Sequence, residues 1–296
     1  MTSARVRPMA DAELAAWAEA RAADGVPLPE PYAEDQHEAV TVEVDGVDVG
    51  GAVLAFGDEP DGRRCSVRVL QTTLPRDDTE VWTAVAGALG EHARARGATS
   101  LTTAVAPALT GAFGRAGFQA TMIAGAGPLD RDNAPDLQVD RTVAVRPMDL
   151  EERRRFAVEA REVMVSGMEL AGVVDPASRR LDELDARLAR LAEDSAPEGE
   201  LLLTATVADE PVGSAWATLV PRVDGLDYFG HTMFLYAEHR GRGLSKSFLG
   251  ALVRNAEHLG VTDIHARVYG RDEWARQQFL RTTDGVEDVH VRKDLS

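Results

Sequence analysis

The 296-residue chain has a single cysteine, Cys65. No internal disulfide can form, and a reducing, cytoplasmic setting is expected. Cys65 lies in RRCSVRVL, a strand-like segment, and reads as a small buried hydrophobe rather than a nucleophile. Long apolar runs are missing too. None approaches the roughly 18 residues that a membrane span needs. The opening MTSARVRPMADAELAAW lacks the apolar core of a secretory signal, so no membrane partner is expected. Positive charge is scarce: 32 Lys and Arg against 49 Asp and Glu give a net charge of −17. That disfavours nucleic acid and anionic membranes as partners. It leaves room for an anion held by a local site, and it would attract a cationic substrate. The seven histidines show no ligand spacing with Cys or carboxylate pairs, so no metal is expected. What is present, 44% hydrophobic and 27% charged residues, is a globular composition at a length comfortable for two domains.

The two domains read as copies of one plan. Val6-Arg7-Pro8-Met9 recurs as Val145-Arg146-Pro147-Met148, an offset of 139, and acidic helical sequence follows each copy. Further on, Val49-Gly50 matches Val212-Gly213 at an offset of 163. Gly97, Thr99, Leu101 and Val105 then match Gly260, Thr262, Ile264 and Val268 at that same offset. The second copy therefore carries 163 − 139 = 24 extra residues near its start, where LDELDARLARLAE adds a helix. The expected division is a first domain over 1–125, a linker over 126–140 and a second domain over 141–296.

In the second copy, residues 141–146 alternate as a strand and 151–165 are helical, with Phe156, Ala160 and Val163 on one face. Leu181, Leu184, Leu188 and Leu191 stripe a second helix. Strands are expected over 201–207 and 212–220 as a hairpin, then over 228–237, 263–269 and 286–291. A helix over 244–259 carries Leu244, Phe248, Leu252, Ala256 and Leu259 on one face, and another runs over 272–280. The order β-α-α-β-β-β-α-β-α-β gives an α/β (α+β) class, a mixed sheet with helices on its faces.

His239-Arg240-Gly241-Arg242-Gly243-Leu244-Ser245 joins a strand to a helix. A helix start offers unpaired N–H groups and partial positive charge, the glycines allow close backbone approach, and Arg240, Arg242 and Lys246 add charge. The loop is neither GxGxxG nor GxxxxGK[ST]. It resembles the Arg/Gln-x-x-Gly-x-Gly/Ala loop of the GNAT superfamily of acetyl-CoA-dependent acyltransferases, with Ser245 in the last place. The element order is similar as well, strongest over 228–260. Two tandem GNAT-like domains are thus implied, each a mixed, mostly antiparallel sheet flanked by helices, similar in layout to the tandem actinobacterial members. At the 163 offset, Asp77-Asp78-Thr79-Glu80 stands opposite Arg240-Gly241-Arg242-Gly243, so the first copy is expected to hold no CoA.

The resemblance implies acetyl-CoA as cosubstrate and transfer of its acetyl group to the amine of a small molecule. Leu235, Tyr236 and Ala237 would pair with the pantetheine amides, and Arg240, Gly241, Arg242, Gly243, Leu244 and Ser245 would hold the diphosphate. The family's helix pattern ends in an acid Tyr, but here Asp272-Glu-Trp-Ala275-Arg-Gln-Gln-Phe279 ends in Phe. Asp272 would contact CoA or cap its helix. His231 is the candidate base: four residues before Leu235, alternation puts the two on one face. It also reads as a strand histidine with a satisfied hydrogen bond. Glu169, the single charge in the apolar 163–174 segment, could hold the substrate ammonium. The alternative is a non-catalytic acyl-CoA sensor or scaffold, kept open by Phe279. The copies could pair as an internal pseudo-dimer in a monomer, or the chain could form a homodimer.

Overall fold

The computed structural model describes residues 2–23, 25–28, 35–59, 62–129, 142–170, 180–195, 197–223, 225–269 and 285–296. The chain divides into two compact units, Met1–Thr121 with Asp288–Ser296, and Met122–Glu287. Among the described residues no helix is long and apolar enough to cross a membrane.

Unit 1 contains β1 (Ala4–Pro8), α1 (Asp11–Ala23), β2 (Gln36–Val44), β3 (Val47–Glu59), β4 (Gly62–Thr72), α2 (Thr79–Ala95), β5 (Ser100–Val105) and the short α3 (Thr110–Arg115). Its last strand is the end of the chain, β12 (Gly285–Asp294), which pairs with β5. The sheet order is β1-β2-β3-β4-β5-β12, antiparallel except for β4 beside β5. Asp45 and Gly46 both take positive φ and close the β2–β3 hairpin with two residues, the geometry that matches strand twist. Cys65 is fully buried, and burial pushes its thiol up to about 12.

Unit 2 contains β6 (Gln119–Pro128), β7 (Ala144–Pro147), α4 (Leu150–Leu170), α5 (Arg180–Leu191), β8 (Glu200–Val207), β9 (Glu210–Pro221), β10 (Leu226–Leu235), α6 (Leu244–His258) and β11 (Asp263–Tyr269). Its order is β7-β8-β9-β10-β11-β6, with β10–β11 the single parallel pair. Of the helix face expected on α6, Phe248, Leu252 and Ala256 are buried, whereas Leu259 lies past the helix end and is exposed. One face of the sheet packs Leu203, Val212 and Leu235 against Phe248, Ala251 and Leu252 of α6. The other packs Leu202 and Trp216 against Phe156 and Ala160 of α4 and Leu188 and Leu191 of α5. Each such large side chain contributes about 1.5–3 kcal/mol.

Several bonds recur between the two units. In unit 1 Arg7 grips Glu13, which accepts the Ala10 N–H at 2.9 Å. At the 139 offset Arg146 grips Glu152, which accepts the Asp149 N–H at 2.9 Å. Asp149 returns a bond to the Glu152 N–H at 2.8 Å, closing a capping box on α4. At the 163 offset, Thr99 N–H donates to Arg63 O as Thr262 N–H donates to Leu226 O. Gly50 and Gly213 also match. A Cβ on Gly50 would run into Gln71 O, and one on Gly213 would meet Phe234 O at 2.5 Å. Both positions therefore need glycine for close strand approach.

The units depart in one respect from the sequential division at 125 and 141. The strand that ends the first half, β6, pairs with β11 from Met122 onward, and the strand that ends the chain, β12, pairs with β5. Leu129 N–H donates to Thr262 O and Leu295 N–H to Thr99 O, both at 2.8 Å, so equivalent bonds are made by exchanged strands. Residues 126–128, expected as linker, are strand. Residues 130–141 and the expected helix over 272–280 lie outside the described residues.

Candidate functional site

The site begins where two parallel strands part. β10 and β11 are paired from Asp227↔Asp263 to Gly230↔Ala266, and no further. β11 nevertheless continues to Tyr269 and β10 to Leu235. Against β9, the β10 register jumps between Gly230 and Thr232, so His231 is an extra, bulged residue. A bulge bends its strand and sharpens the twist, which turns β10 away from β11 and opens a wedge. Beyond the bulge β10 stays paired with β9 as far as Leu235↔Gly213, and Tyr236 N–H donates to Val212 O. Strand alternation then turns the Leu235 N–H and C=O to the opposite edge, into the wedge. The Arg240 Nε–H donates to that Leu235 carbonyl at 3.0 Å, tying the loop back to the strand.

After β10, Ala237–His239 makes one 3₁₀ turn, and Arg240 is extended. Gly241 and Gly243 take φ of 74° and 76°, a left-handed conformation that favours glycine. Gly243 is the N-cap of α6, and among the described residues no side chain caps that helix. Among the described residues a Cβ on either glycine would meet nothing within 4 Å, so conformation rather than crowding requires glycine there. Leu244 and Ser245 form the first turn; the exposed Arg240 and Arg242 flank it. At the matching place in unit 1, Asp78 Oδ1 accepts the Val81 N–H at 3.1 Å and caps α2 itself. The seat that is open in unit 2 is filled by a carboxylate in unit 1. Unit 1 keeps the rest: β4 and β5 pair only through Val67↔Thr103, and the register jump between Val53 and Leu54 leaves Arg68 bulged at the 163 offset from His231.

His231 does not share a face with Leu235. Leu235 packs toward α6, while the His231 ring lies 4.4 Å from Trp216, on the side of α4 and α5. The bulge breaks the period-two count that sequence alternation assumes. His231 Nε2 is 2.7 Å from the Thr218 hydroxyl and 3.1 Å from Arg187. A guanidinium only donates, so Nε2 accepts and the ring is neutral with its proton on Nδ1. Glu200 completes the cluster, accepting from Arg187 at 2.8 Å, Trp216 Nε1 at 2.6 Å and Thr218 at 3.0 Å. Burial, then the charge of Arg187, hold the His231 imidazole down to about 4. Burial pushes the Glu200 carboxyl up, but the bonds from Trp216 and Arg187 outweigh it and leave it below its usual range. This is the satisfied strand histidine, in a network whose members at 187, 200, 216 and 218 had no sequence signature.

Tyr236 bonds Ser214 Oγ at 2.9 Å and receives Arg155 at 3.3 Å. Its ring shares the α4 side of the sheet with Phe234. Ala237 is exposed in the 3₁₀ turn, and Glu169 is exposed near the end of α4. Asp272 and Phe279 lie outside the described residues. Arg155 and Glu159, one turn apart on α4, were not singled out by sequence; their signal was a helix face shared with the apolar stripe of 156, 160 and 163.

No protein-family model matches the chain. No curated protein matches it in sequence. Among solved structures, it is similar to a GCN5-related N-acetyltransferase from Sphaerobacter thermophilus, with a TM-score of 0.51 and 16% identity over 99% of this chain and 96% of that one. A tandem GNAT protein from the clavulanic acid biosynthesis pathway aligns over 100% of this chain and 99% of that one, at 17% identity and a TM-score of 0.46. The Sphaerobacter likeness shows that the chain has the fold of a GCN5-related N-acetyltransferase from end to end.

Proposed function

We propose that unit 2 binds acetyl-CoA and transfers its acetyl group to the amine of a small molecule. The observation that carries this is the wedge between β10 and β11 running into an uncapped helix start, with two left-handed glycines between them. The backbone N–H groups at the start of α6 suit a diphosphate: anions are favoured at a helix N-terminus, and open space lies where Cβ atoms would be. Arg240 and Arg242 add positive charge to an otherwise acidic chain. Acetyl-CoA would supply an acyl group activated as a thioester.

The chain's own groups do the rest. The Leu235 N–H faces the wedge and is positioned to polarise an acyl carbonyl and stabilise the oxyanion formed on attack, a contribution that scales with preorganisation. Arg240 fixes that strand end by holding the Leu235 carbonyl. His231 supports the wedge from behind the bulge and does not accept the substrate proton, because Arg187 occupies its basic nitrogen. Asp78 supports the reading that unit 1 holds no CoA.

Phe279, where the family's helix has Tyr, favours a second reading, an acyl-CoA sensor without turnover. Calorimetry with CoA, together with thiol release from acetyl-CoA in the presence of primary amines, tests both. Binding with amine-dependent thiol release supports the enzyme, and binding without it supports the sensor. No binding, or binding that survives Gly243→Asp unchanged, refutes both.

A further inference from the structure

Helix α4 spans the wedge. Its residues 155, 159, 163 and 167 recur every four positions and form one stripe. At one end Arg155 donates to the Tyr236 hydroxyl, and its guanidinium lies 5.2 Å from the centre of that ring. At the other end Gly167 sits on Tyr269, where a Cβ would come within 3.1 Å of the ring. Tyr236 follows β10 and Tyr269 ends β11, so the stripe bridges the two strands that part after Gly230.

Glu159 stands between those anchors. Its Oε2 is shut off from solvent and has no hydrogen-bond partner among the described residues. A buried acceptor left without a donor is destabilising, and α4 has exposed positions where the same carboxylate would carry no such penalty. Val158, the neighbouring residue, is 72% exposed. Burial holds the Glu159 carboxyl above the usual carboxylate range; Arg155 pulls it the other way, and Glu238 and Glu162 add to the rise. A carboxyl poised higher than usual is a better proton acceptor at neutral pH than one held low by an ion pair.

Building on the acyl-CoA reading of this wedge, we infer that Glu159 receives the ammonium of a small cationic amine and takes the proton that blocks its attack. The ammonium supplies the donor that Oε2 lacks. One proton passes to the carboxylate; the freed nitrogen forms the C–N bond as the thioester C–S bond breaks; the second amine proton leaves with the thiol. Glu238 and Glu162 extend the negative field around Glu159, so a positively charged acceptor is favoured over an anionic one.

The test compares the full-length wild type with Glu159→Gln, which keeps the shape and removes the charge. CoA affinity is measured by calorimetry, Tm without ligand, and thiol release from acetyl-CoA with spermidine, tyramine and glucosamine. The expected result is CoA affinity within twofold, a Tm unchanged or raised, and kcat/KM for the amine lower by about 100-fold or more. Equal kcat/KM in the variant overturns the assignment. So does a fall in Tm, which would make the carboxylate structural, and so does a wild type that binds CoA yet acetylates none of the three amines. A wild type that binds no CoA refutes the acyl-CoA reading itself.

Discussion

Acidification should weaken the fold through one imidazole. His231 is held neutral by burial, then by the positive charges of Arg187, which donates to Nε2, and Arg267, against the opposing pull of Glu200. In the unfolded chain it would take a proton near pH 6.5, and in the fold only at about 4. Between those values the unfolded state binds more protons, so stability rises with pH across this window. The contribution is complete above pH 6.5 and is lost as pH falls through 4. A gap of this size corresponds to about 3 kcal/mol in full, and about 2 kcal/mol is already lost at pH 5. Urea unfolding of wild type and His231→Gln at pH 7.5 and pH 5 isolates the imidazole, because every other group titrates in both proteins. The variant should lose about 2 kcal/mol less than wild type over that interval. NMR titration of the ring carbon signals reads the folded value directly. A His231 that titrates at or above 6.5, or a variant whose stability falls as steeply as that of wild type, would refute the network as drawn.

Other substitutions separate frame from site. Gly213→Ala would drive a Cβ into Phe234 O at 2.5 Å and Leu235 Cα at 3.2 Å; both Tm and CoA affinity should fall, since Leu235 edges the wedge, and unchanged calorimetry would contradict the close approach. Gly243→Ala has open space but an unfavourable φ of 76°, so Tm should drop modestly, by the equivalent of about 1–2 kcal/mol, with weaker CoA binding. Asp78→Ala removes the cap of α2 and should cost about 1 kcal/mol in denaturant melts while leaving CoA affinity untouched.

Much of this fold was legible because the repeat was. A constant offset of 163 aligns β3 with β9, β5 with β11 and the ends of α2 and α6. The physical reasons are visible at single residues. Gly97 and Gly260 take left-handed φ at the helix ends, and Thr99 and Thr262 bond back to the strands before them. The loop at 240–245 was legible too, since glycine and arginine spacing writes backbone conformation and charge directly into sequence. His231 was misplaced because alternation counts residues, and a bulge adds one without any compositional mark. Glu159 was passed over because it looks like any solvated helix carboxylate; burial of one oxygen comes from packing by distant elements. The exchange of β6 and β12 could not be read at all. Each strand has the same pattern whichever sheet receives it, and only the tertiary pairing decides.

That exchange makes the two copies hostages of each other. The amino-terminal copy has filled its helix start with an aspartate, and a duplicate that diverges in this way would ordinarily be free to be trimmed away. Here its closing strand completes the sheet of the copy that kept the open seat, and receives one in return. Deleting either half would strip the other of a strand, so neither copy could be trimmed away without opening its neighbour's sheet.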